Sequence, residues 1–159
     1  MKKNKKGFTL IELLAVIVIL AILVAVAIPA ITRYLNTARK GTYATNAQAA
    51  ISAVRNDVIS KGYTTNSIYK LDSINALLDK KLENSPYGAP YQDSSYVKVE
   101  FDNATGNATY SICLTDGTNG FNGTGSTKET AESDLKEENV KTGQSVTCTL
   151  PTDASPVTP

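Results

Sequence analysis

The chain has 159 residues, with 16 lysines and arginines against 15 aspartates and glutamates, a formal charge of +1 and no histidine. So even a balance argues against nucleic-acid binding driven by charge. The absence of histidine removes the commonest general base and metal ligand, and no nucleophile motif, phosphate loop or metal-ligand spacing replaces it. The expectation is a protein that is not an enzyme and uses no cofactor or metal.

Lys2, Lys3, Lys5 and Lys6 stand ahead of an apolar block, Leu13 to Ile28. About twenty mostly apolar residues, at 1.5 Å each, cross a hydrocarbon core of roughly 30 Å. The lysines hold that end in the cytoplasm and send everything after Ile31 outside. Glu12 is the exception, since an unpaired acid deep in a spanning helix costs roughly 2.5–3.5 kcal/mol, less near the interface. It therefore needs a partner.

The run Gly7-Phe8-Thr9-Leu10-Ile11-Glu12 behind a short basic leader resembles the start of type IV prepilins. The resemblance implies that a membrane prepilin peptidase cuts between Gly7 and Phe8 and that Phe8 is then N-methylated. Subunits then leave the membrane through a pilus assembly machinery and stack into a helical homo-oligomer. It gives Glu12 the role of a register contact with the next subunit's N-terminus. Elementary chemistry agrees: cleavage creates an α-amine, mostly cationic below about pH 7.7–8, one helical turn from Glu12. Losing four lysines takes the formal charge from +1 to about −3.

Plainer readings of the N-terminus are an uncleaved signal anchor, which leaves Glu12 unexplained, and a secretory signal cut after Ala25-Val26-Ala27, for which the block is long and charged. A lipoprotein signal fails for lack of a nearby cysteine.

Pro29 removes a donor to the carbonyl of Ala25 and crowds it, which predicts either a membrane-exit kink or, as the resemblance implies, a bend or loosened stretch in the filament. Arg33, Arg39 and Lys40 read as a solvated or interfacial cluster. Ala47, Ala50, Ile51, Val54 and Val58 then recur at three- and four-residue spacing, one apolar stripe suited to docking on a sheet. Gly41 is a weak point in the pattern, and Lys61-Gly62 is its stop. The expected layout is a leader at 1–7, a transmembrane and filament-core helix at 8–31, the amphipathic half of the same helix at 32–62, and a globular head at 63–159.

Tyr63 to Gln92 reads as a surface excursion holding a short helix, capped by Asp72 or Ser73 and facing inward with Ile74, Leu77, Leu78 and Leu82. Ser85 to Tyr91 is a rigid Pro/Gly corner. Val97, Val99 and Phe101 alternate with Lys98 and Glu100, and Ala108, Tyr110, Ile112 and Leu114 repeat the pattern after a turn at 103–107, which predicts an antiparallel hairpin. A third strand is predicted over Ser145 to Leu150. Between them, Asp116, Asn119 and Asn122 lack the spacing of a twelve-residue calcium loop and read as turn formers. Ser126 with Glu129 forms a capping box that predicts an exposed acidic helix over Lys128 to Glu138. The sequons at Asn103, Asn107 and Asn122 reflect an Asn/Thr-rich composition.

Cys113 and Cys148, the only cysteines, fall in the part expected outside the cell, where a disulfide is the first expectation; the resemblance supports it. Strict alternation puts Cys113 on the polar face of its strand and Cys148 on the apolar face of its own, a conflict that a bulge or strand end must resolve unless the pair is reduced.

The whole reads as an α+β pilin: a long bent N-terminal helix packed on a small antiparallel sheet of three to four strands. The resemblance implies a filament subunit serving adhesion, surface motility, aggregation or DNA uptake, with nucleic acid only as filament cargo. It implies a precursor in the bacterial inner or cytoplasmic membrane and a product in the cell-surface pilus. Alternatives are a pseudopilin of a type II secretion or competence system, and a monomeric membrane-anchored surface-binding protein.

Overall fold

A computed structural model of the chain describes residues 8–122 and 129–151, and the backbone of 155–157. The leader and Ser126, the serine of the expected capping box, therefore lie outside the described residues. The chain forms two compact units, Met1–Thr37 and Ala38–Pro159. Helix α1, Leu10–Lys61, is 52 residues long and contains Pro29.

In the first unit α1 is apolar on every side, and its large side chains are exposed, from Leu10 at 85% through Leu20 at 53% to Ile28 at 57%. Length and composition suffice for a membrane crossing. Backbone pairing inside a helix leaves only side chains to meet the surroundings, and here those surroundings must be apolar.

The second unit begins within α1 and buries the stripe Ala47, Ala50, Ile51, Val54 and Val58, together with Tyr43. The helix ends where Lys61-Gly62 predicts. Gly62 takes φ +66°, its N–H donates to the carbonyl of Ile59 at 3.3 Å, and that of Tyr63 donates to Val58 at 3.1 Å. These are the paired bonds of a Schellman stop, which glycine enters without steric cost.

The sheet holds β1 (Ser67–Lys70), β2 (Tyr96–Phe101), β3 (Ala108–Thr115), β4 (Gly120–Phe121), β5 (Thr130–Ala131) and β6 (Ser155–Val157). Its order is β4-β3-β2-β1-β6, with β5 also on β3. All pairs are antiparallel except β1 with β6. The architecture is α+β as expected, with more strands than the three to four anticipated. The hairpin β2–β3 has the expected phase: Val97 faces Ile112 and Val99 faces Tyr110. With Tyr69 and Leu114 these residues join the α1 stripe in one core.

Three expectations change. Ser145 to Leu150 is not a strand, and β1, inside the stretch read as an excursion, takes the neighbouring place beside β2. A four-residue strand flanked by helix-like spacing leaves too little alternation to recognise. Residues 130–139 form β5 and two short 3-10 turns, Glu132–Asp134 and Glu137–Asn139, instead of an acidic helix. Leu135 and Val140 are the buried anchors there, five residues apart and therefore off any one α-helical face. The short helix α2, Leu71–Leu77, starts after Lys70 with no side-chain cap, ahead of the expected Asp72 or Ser73.

The Ser85–Tyr91 corner forms as read. Ser85 N–H donates to Ala89 O at 2.8 Å and Gly88 N–H to Ser85 O at 2.9 Å, with Gly88 at φ +90°.

Candidate functional site

Phe8 precedes α1 and is 94% exposed; Gly7 lies outside the described residues. Helix α1 begins at Leu10, which makes Thr9 its cap residue. Thr9 N–H donates to Glu12 Oε2 at 2.8 Å, and the Thr9 hydroxyl donates to the same oxygen at 2.9 Å. In return Glu12 N–H donates to Thr9 Oγ1 at 3.3 Å, and Leu13 N–H to Thr9 O at 3.3 Å. This is a reciprocal capping box, T-x-x-E, which satisfies amides that a helix start leaves without intrahelical partners.

Sequence reasoning sought a partner for Glu12 and passed over this nearer one. The signal was present, because Thr9 and Glu12 have capping-box spacing immediately before an apolar run. The carboxylate is thus folded back toward the N-terminal end of the helix. Phe8, whose nitrogen becomes the new terminus on the expected cleavage, is the residue next to Thr9.

Pro29 sits within α1, which continues on both sides of it. Nearby, the Thr32 hydroxyl donates to Ile28 O at 2.9 Å, a back-bond that occupies the hydroxyl locally.

Cys113 and Cys148 are joined by a disulfide. The alternation conflict is resolved by neither a bulge nor a strand end: Cys148 lies outside any strand, and β3 is buried on both faces from Ile112 to Thr115, although Thr109 is exposed. Cys113 is opposite Tyr96 on the face away from the main core, where Ile68, Tyr96, Cys113 and Cys148 form a second small cluster. The strap 141–150 runs over this face without strand structure. Gln144 N–H and Val146 N–H donate to Thr118 O and Gly117 O. Thr115 Oγ1 donates to Val146 O at 2.6 Å, and Tyr96 OH to Thr149 O at 3.1 Å.

The loop at Asp116 is turn chemistry, as expected. Asp116 Oδ1 accepts from the amides of Thr118 and Asn119 at 3.0 and 2.6 Å, and Oδ2 from the Ser85 hydroxyl at 2.5 Å. Burial alone would raise the Asp116 pKa, but the bonds from Ser85 and Asn119 outweigh it and hold the carboxyl below its usual range.

Two further groups escaped sequence reading. Tyr43 is fully buried and donates to Asn119 O at 3.1 Å, with Tyr91 and Phe121 rings edge-on at centroid distances of 5.3 and 6.0 Å. Burial pushes the Tyr91 hydroxyl up to about 12. Arg55 pairs with Glu132 and lies 4.7 Å from the Tyr110 ring centroid, tying α1 to the first 3-10 turn. Among the described residues no cluster of three or more acid or cysteine side chains is placed to hold a metal ion.

Residues 2–28 match the family described as the prokaryotic N-terminal methylation motif. The chain therefore carries the type IV prepilin-like leader signature, at the residues that hold the cap and the acid. The signature supports a protein of the type IV pilin-like or pseudopilin kind, and it implies processing by a prepilin peptidase and pilus-type assembly. No solved structure matches the chain.

Proposed function

We propose that this protein is a structural subunit of a type IV pilus, cut between Gly7 and Phe8, N-methylated on Phe8 and assembled by packing of its N-terminal helices. The observation that carries this reading is the unpartnered apolar length of α1 with one acid at its start, inside the methylation motif. Exposed Ile, Leu and Val on every side need lipid before assembly and like helices afterwards. Glu12 then meets the Phe8 amine of a neighbouring subunit in a low-dielectric bundle, where a correct match and a mismatch both count heavily. On this reading the precursor sits in the membrane with its lysines in the cytoplasm, and the product lies at the cell surface. Its work is non-catalytic; adhesion, motility, aggregation or DNA uptake depends on what the filament meets.

The test is N-terminal sequencing of surface-exposed protein combined with electron microscopy of cells labelled against the head. Methylated Phe8 as the first residue and long labelled filaments are expected. A start at Met1 with label confined to the cell envelope would favour the anchored monomer. Processed chain without long filaments would favour the pseudopilin.

A further inference from the structure

We infer that Thr9 is a positioning residue for the assembly contact of Glu12, an inference that rests on the pilus reading above. Both bonds from Thr9 converge on Glu12 Oε2, and among the described residues nothing bonds Oε1. A glutamate side chain has three rotatable bonds, and an unheld one on an exposed helix start samples many directions. The cap removes that freedom. It turns the carboxylate toward the Phe8 end and engages one oxygen locally, which lightens the cost of carrying the acid into apolar surroundings. The other oxygen is left to receive an ammonium donor from a second subunit. Thr9 thus acts through Glu12 and touches no partner itself.

The cap and the charge can be separated, because glutamine serves in a capping box as glutamate does but cannot form the ion pair. The experiment uses the full-length chain in assembling cells, with Thr9→Val, Thr9→Ser and Glu12→Gln beside the wild type. It measures the N-terminal mass of the membrane-held subunit and the filament mass sheared from equal numbers of cells. Thr9→Val, nearly the same shape without the hydroxyl, is expected to be processed yet to give roughly fivefold less filament, the weight of a typical helix cap. Thr9→Ser restores the hydroxyl and the wild-type yield. Glu12→Gln keeps the cap and loses the filament.

Wild-type yield from Thr9→Val, with Glu12→Gln still defective, would overturn the role of Thr9 and leave the pilus reading intact. Failure of Thr9→Ser to restore the yield would overturn it as well, since a general sensitivity of the site to substitution would then suffice. An unprocessed wild type would instead sink the pilus reading itself.

Discussion

The same side chains behave in opposite ways in the two units. Ile17, Leu20 and Val24 in the first unit are more than half exposed, whereas Ile51, Val54 and Ile112 in the second are fully buried. Composition does not separate them; what differs is whether the chain supplies its own cover. The second unit has a sheet to set against its apolar stripe, so its stability is internal, at roughly 25 cal/mol per Å² of apolar surface removed from water. Among its described residues the first has no sheet to set against its apolar helix, so that surface must be covered by lipid or other copies.

That contrast is broken most severely at Glu12. Glu12→Leu is expected to insert in the membrane normally and to abolish filaments, as read by electron microscopy and by the amount of membrane-held precursor. The head should be untouched, because the substitution lies outside its core.

Next in size is the disulfide. Replacing Cys113 and Cys148 with serine is expected to cost roughly 3–4 kcal/mol for a closed loop of this length, seen as a lower thermal midpoint of the head. The strap 141–150 should loosen first, measured as faster amide exchange at Gln144 and Val146, while α1 from Tyr43 to Val58 stays protected.

A pH titration sharpens the comparison further. The Asp116 pKa is held down in the folded head, so its bonds contribute stability that is full above the unfolded value of about 3.9 and is lost as pH falls through the folded value. Acid unfolding of the head should therefore steepen below about pH 4. Asp116→Asn should flatten that dependence, and a variant with an unchanged acid slope would remove Asp116 as its source.

The smallest effect is expected at Arg55 and Glu132, whose side chains are 35% and 39% exposed. Glu132→Gln should cost under about 1 kcal/mol and less at high salt. A double-mutant cycle with Arg55→Met measures the pair itself.

Much of this was legible because it is local. The apolar run, the leader glycine, Glu12, the α1 stripe, the Lys61-Gly62 stop and the alternation of Val97, Val99, Ile112 and Leu114 are patterns within a few residues of one another. Thr9 is equally local, three residues before Glu12, but an acid in an apolar run points first to an ion-pair partner and only second to a cap. The 128–138 helix failed for the opposite reason, since a capping-box spacing was read without enough apolar residues on one face to hold a helix.

By itself the sequence determined the prepilin-like leader signature, the two-part character of α1 and the α+β head, because motif, period and polarity act along the chain. Only tertiary structure decided that the end of β3, Ile112 to Thr115, is covered on both faces, that 141–150 is a strap and not a strand, and that β1 enters the sheet. Each depends on residues distant in sequence meeting across a surface, as Cys113 meets Cys148 and Thr115 meets Val146, and no spacing along the chain encodes which face a distant segment will cover.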